Sequence, residues 1–176
     1  GIRDYIGDWS SDVCSSDLAY DMRKAREVFP RLMAYHRWFA SARDPQGSGV
    51  IGIIHPWESG RDNCPDWDIG MNAITVPGNL MSYKRRDTSH VDSDQRPTQE
   101  QYDRFITIVQ FGRETGWDHH KIHAEGPFLM ADPGVQFIFL RATRDLLALA
   151  EMLGIDKVTD ELRGLIARVS EGSNWL

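Results

Sequence analysis

The segment from Asp132 to Gly154 limits the fold of this chain more than any other. Asp132 and Pro133 read as the cap and first residue of a helix. The aspartate can accept from a first-turn amide, and proline has no N–H that would go unpaired there. Gly154 supplies the stop. Between them Phe137, Ile138, Phe139, Leu140, Leu146, Leu147, Leu149 and Leu153 cover most of the helix circumference instead of one stripe. Such a helix needs neighbours on several sides, as an inner helix of a larger helical assembly has. Where they are lacking, it exposes apolar patches that tend to associate.

The rest of the chain is also helical in pattern. Residues 20–43 predict one or two helices, with Pro30 in the first turn of the second and Leu32, Tyr35 or His36, and Phe39 at helical spacing. Asp44 to Gly49 is a turn, and Val50 to Ile54 is a short strand or extended chain. Residues 69–96 look irregular, a length typical of a lid or binding loop. Thr98 and Gln101 form a capping box for a helix carrying Tyr102, Phe105, Ile106 and Val109, which ends near Gly116. A last amphipathic helix carries Leu162, Leu165, Ile166 and Val169 and stops near Gly172. The fold class expected is all-α, a plan of helical hairpins.

Composition narrows the function classes. With 41% apolar and 26% charged residues, the 176-residue chain is long enough for one globular domain. No apolar run approaches the ~20 residues of a membrane span. A net charge of −6 argues against a general nucleic-acid binder. Two cysteines, Cys14 and Cys64, are too few for a disulfide framework, and no basic flank followed by an apolar core marks a secretory leader. A cytoplasmic location follows as the expectation. Oligomeric state is left open.

The first 18 residues, GIRDYIGDWSSDVCSSDL, have no helical or strand period. They resemble a translated sequencing adapter: GAC-GTG-TGC-TCT-TCC-GAT-CT encodes Asp12 through Leu18, and GGC-ATA-CGA-GAT encodes Gly1 through Asp4. The expected division is therefore a non-native tail at 1–18 and a single domain over 19–176.

The chemistry concentrates in Ile53 to Asp68, IIHPWESGRDNCPDWD. Two tryptophans, two prolines, a glutamate, three aspartates, an arginine and an asparagine make a poor core element without helical period. It reads as a loop with a buried tryptophan on each side of a charged centre. A sugar site needs these groups: aromatic faces for the ring, carboxylates and amides for the hydroxyls, and one acid for bond cleavage.

HPWESGRDNCPDWD resembles the signature of glycoside hydrolase family 63, in particular the branch of mannosylglycerate and glucosylglycerate hydrolases, where HPWESG-x-DNSP-x-WD recurs. RRDTSHVDSDQRPTQEQYDRF and PFLMADPGVQFIFLRATRDLLALAEMLG resemble the lid-and-helix segment and the following helix pair of that branch, so the likeness runs over residues 20–176. Trehalases carry a related ESG-x-D core. The resemblance implies an (α/α)6 barrel, which needs well over twice this length, so the chain would be a partial barrel, a central slice.

It also implies that Asp62 is the general acid of an inverting hydrolase acting on a small glycoside. Inversion needs a second carboxylate ~6.5–9.5 Å away to activate water; the family's base falls in a later segment that is not found here. Asp62 must be held protonated, which burial against Trp57 and Trp67 or a neighbour such as Glu58 would favour. Two departures stand out: Cys64 replaces the usual Ser, and Asp66 occupies a position that is often Arg.

Each residue also has a plainer reading. Asp62 could cap a turn. Glu58 could bind a sugar hydroxyl or hold Arg61 and the loop. Trp57 is expected to touch sugar and Trp67 could do so or pack in the core, with Gly60, Arg61 and Asn63 shaping the surroundings. His55 reads as a structural histidine. Arg85, Arg86 and Asp87 are a solvated charge run or a lid presenting an Arg to an anionic aglycone such as glycerate. The run His119-His120-Lys121-Ile122-His123 invites a metal, but Gly116 and Asp118 argue for a loop there and no ligand set is complete, so no metal and no cofactor are expected. The rivals to the hydrolase are a trehalase-like or oligosaccharide α-glucosidase and a non-catalytic helical scaffold that binds carbohydrate or protein.

Overall fold

The computed structural model describes residues 15–87, 92 and 96–176. Most of the adapter-like segment (1–14) and the middle of the charged loop (88–91 and 93–95) lie outside the described residues. The described residues form six α-helices, short 3-10 turns and one two-stranded β-pair.

Helix α1, Ser15–Arg43, runs unbroken through Pro30, where the sequence suggested a new helix start. Proline removes one main-chain hydrogen bond and crowds the preceding turn. The cost is tolerated because Arg26 and Pro30 both lie on the exposed side, where water can solvate the released carbonyl. On the other side Phe29, Met33, His36 and Ala40 recur at helical spacing and are buried, so tertiary packing holds the helix through the defect.

Helix α5, Pro133–Leu153, is the centre of the first packing unit. Asp132 caps it by accepting from Gly134 N, and Gly154 ends it in the left-handed region at φ 64°. It packs against α1 and against α6, Thr159–Gly172. Phe29, Met33, Leu146, Ala150, Leu153, Val158 and Leu162 form one core cluster; Ala40, Ile51, Phe139, Leu140 and Val169 form another. The helix is packed on several sides but not on all: Phe137 and Ile138 are 53% and 71% exposed.

Gln136, fully buried on α5, ties this unit to the loop ahead of the motif. Its Oε1 accepts from Ile51 N (2.7 Å), and its Nε2 donates to Gly49 O (2.8 Å) and Val169 O (3.0 Å). Gly49, at φ +83°, and Gly172 press backbone on backbone at this junction; a Cβ on either would collide with main-chain atoms of the other segment.

The second unit carries the motif. Strand β1, Gly52–Ile53, pairs antiparallel with β2, Met130–Ala131, in the register Gly52 to Ala131 and Ile53 to Met130. The described residues of the segment 69–96 are irregular, as its composition suggests, after helix α2, Asp68–Asn72, which opens it. Helix α3, Gln99–Glu114, starts in the Thr98–Gln101 capping box. The histidine run forms a helix and not a loop: α4, His119–Glu125, with Asp118 as its cap accepting from Lys121 N. Gly116, at φ 62°, ends α3 and leaves α4 intact. Ile53, Trp67, Met71, Ile74, Phe105, Ile108 and Phe128 make the core of this unit.

Candidate active site

The motif folds as two 3-10 turns, Pro56–Ser59 and Pro65–Trp67, joined by a bend at Gly60, whose φ of 69° suits a residue without Cβ. The turns stand on the core through their apolar ends. Trp67 is 3% exposed and packs among Ile53, Met71 and Phe128, so it belongs to the core and reaches the surface only in the floor of the cleft beside Asp62. Its Nε1–H donates to Arg61 O at 2.8 Å, and Cys64 N–H donates to the same carbonyl at 3.0 Å. The peptide leading into Asp62 is thereby held from below.

Asp62 itself is exposed. It lines a small open cleft with Asn63, Cys64, Asp68, Asn72 and Gln101, floored by Trp67, Met71 and Phe105. Burial between two tryptophans is not its situation, because Trp57 is elsewhere and is 41% exposed. Trp57 and Glu58 line a different, apolar cavity of ≈ 260 Å³ with Phe111, Trp117, Ile122 and Phe128. The acid and the tryptophan expected beside it thus line different cavities, with Trp57 packed on Phe105 of the Asp62 cleft.

Glu58 holds Arg43, not Arg61. Arg43 Nη2 and Nε donate to the two Glu58 oxygens at 2.6 and 2.9 Å, and the arginine side chain is only 8% exposed. Arg61 turns away from Asp62. Its Nη1 donates to Asp66 Oδ2 and its Nη2 to Asp132 Oδ1, both at 3.0 Å, while the guanidinium carbon lies 5.2 Å above the Trp67 ring centre. Cys64 Sγ–H donates to Asp66 at 3.1 Å. Hydrogen bonds from Cys64 and then Arg61 hold the Asp66 carboxyl below the usual carboxylate range.

His55 is buried and fully paired: Nε2–H donates to Phe105 O (3.2 Å) and Nδ1 accepts from Trp57 N–H (3.1 Å). Those roles fix the neutral tautomer. Burial, opposed by the Phe105 contact, lowers its pKa to about 4. His119 and His123 face the end of α1, and burial lowers both, with the Arg43 charge adding to it. Among the described residues no group of three or more His, Cys, Asp or Glu side chains could hold a metal ion, and no helix is long and apolar enough to cross a membrane.

The charged loop is less solvated than its sequence suggests. Arg85 and Asp87 pair at 2.7 Å with side chains 15% and 20% exposed. The Arg85 guanidinium stacks 4.5 Å from the Tyr102 centre and donates to Pro97 O, while Arg86 is exposed. Tyr83 anchors the same arm by hydrogen-bonding Asp103 on α3; burial first, and that bond second, push its phenol up to about 12. Arg85 lines a cleft with Leu80, Met81 and Gln99, apart from Asp62. Sequence reasoning did not find Arg43 or the second role of Asp132, since each meets the motif only through the fold.

Residues 12–176 match the mannosylglycerate hydrolase MGH1-like glycoside hydrolase domain. The chain belongs to that family, within glycoside hydrolase family 63. Mannosylglycerate hydrolase of Thermus thermophilus is 45% identical over 133 residues, which are 76% of this chain and 32% of that protein. Glucosylglycerate hydrolase of Mycolicibacterium hassiacum is 36% identical over 121 residues, 68% of this chain and 27% of its relative. The crystal structure of a family 63 mannosylglycerate hydrolase from Thermus thermophilus in complex with Tris and D-glycerate superposes with a TM-score of 0.84 at 40% identity, covering 93% of this chain and 39% of that one. The chain spans about a third of the length of these relatives. Its all-α fold is that of part of their (α/α)6 barrel.

Proposed function

We propose that the polypeptide carrying this segment is an inverting α-glycoside hydrolase acting on mannosylglycerate or glucosylglycerate, with Asp62 as general acid. The supporting observation is Asp62 exposed on an open cleft, on a turn pinned through Trp67, in a chain of this family. Asp62 gives its proton to the glycosidic oxygen as the bond to the anomeric carbon breaks. A carboxylate outside these residues takes a proton from the water that attacks the opposite face, and the sugar leaves inverted. In this reading Gly60 and Asn63 flank Asp62, while Trp57 and Glu58, which line the apolar cavity, and the Arg85–Asp87 arm meet parts of the substrate outside the Asp62 cleft. Glu58 acts through Arg43, and Arg85 reaches glycerate only by leaving Asp87.

Two further elements belong to the proposal. The free Cys64 supports a cytoplasmic location. The adapter-like residues are a non-native tail, which codons unlike the adapter would disprove.

The test is hydrolysis by the full-length protein, with the first-formed anomer read by NMR. Mannosylglycerate or glucosylglycerate should be cleaved to the β-anomer. Formation of the α-anomer first, or cleavage of trehalose alone, overturns the reading.

A further inference from the structure

We infer that Asp132 is a positioning residue for the acid at Asp62, acting through Arg61. The inference rests on the reading of Asp62 as general acid. Asp132 is 1% exposed and already employed as the cap of α5, its Oδ1 accepting from Gly134 N at 2.8 Å. That one contact does not neutralise a buried carboxylate. Its Oδ2 is buried without a hydrogen-bond partner, and the cation that reaches it is Arg61, at 3.0 Å from Oδ1. An unpaired charge in that place is costly, so Asp132 grips Arg61 firmly although Arg61 is 46% exposed.

Arg61 is then fixed at every point. Its N–H donates to Ser59 Oγ (3.0 Å), its carbonyl accepts from Trp67 Nε1 (2.8 Å), and its fork spans Asp66 and Asp132 over the Trp67 ring. Asp62 is the next residue, and among the described residues no side chain hydrogen-bonds to its carboxyl. Its direction is inherited from Arg61. The start of α5, 70 residues away from Asp62 in sequence, thus sets where the proton donor points. Misplacing a catalytic group by about 1 Å costs on the order of 100-fold in rate.

Asp132→Asn in the full-length protein separates this role from capping, because asparagine caps a helix as well as aspartate does but carries no charge for Arg61. The expected result is a fall in kcat of about 100-fold on mannosylglycerate or glucosylglycerate, with KM little changed. On the corresponding glycosyl fluoride, whose leaving group needs no proton, the loss should shrink to a few-fold. Arg61→Met should show the same pattern, and adding Asp132→Asn to it should cost nothing more. Asp132→Ser, another capping residue, serves where the asparagine variant does not fold. Equal losses on glycoside and fluoride, or additive losses in the double variant, overturn the inference. Failure of Asp62→Asn itself to recover on the fluoride would instead overturn the assignment of Asp62.

Discussion

Arg43 and Glu58 meet in a two-pronged ion pair that joins the last residue of α1 to the turn ahead of Asp62, with oxygen distances of 2.6 and 2.9 Å. The arginine is buried and the glutamate is partly open, with side-chain exposures of 8% and 26%. Removing the glutamate alone leaves a buried cation without its partner. Glu58→Ala should therefore destabilise the fold by about 3 kcal/mol in urea unfolding. Arg43→Met with Glu58→Ala should recover part of that loss, since an apolar pair removes the stranded charge.

His55 makes stability depend on pH. Its folded pKa of about 4 lies below the unfolded value of about 6.5, so the neutral form is the one the fold accepts. The linked stability is fully present above the unfolded value and is lost as pH falls towards 4. That loss amounts to about 3 kcal/mol, and His119 and His123 shift in the same sense. Unfolding free energy measured at pH 7 and pH 4 should fall more in the parent chain than in a His55→Gln variant.

Gln136 should be hard to replace. A Gln136→Met variant keeps the volume but strands Ile51 N and Gly49 O, which the amide now satisfies, while Val169 O still accepts from Ser173 Oγ. Leaving such groups unpaired costs about 1–3 kcal/mol each. Amide exchange should show Ile51 losing protection before the α5–α6 core does.

The elements were legible where local chemistry decides them. Thr98 and Gln101, Asp132 and Pro133, Gly154 and Gly172 all mark boundaries that neighbouring residues enforce. Pro30 misled because solvent on one side and Phe29 and Met33 on the other outweigh the lost hydrogen bond. The histidine run misled because Gly116 closes the preceding helix while Asp118 opens the next. In the site, the mixture of aromatic, charged and amide residues in a loop followed from the motif. The partners did not: Glu58 finds Arg43, Arg61 finds Asp132, and Arg85 finds Tyr102 through tertiary packing, which no spacing within the motif encodes.

The most direct measurement is kcat of Asp62→Asn in the full-length protein on mannosylglycerate and glucosylglycerate, with folding checked by thermal unfolding. General acid catalysis contributes on the order of 10²–10⁴-fold. A folded variant should lose kcat by at least about 100-fold, while its substrate affinity stays near that of the parent. A folded Asp62→Asn protein that hydrolyses either glycoside at the parent rate would contradict the account.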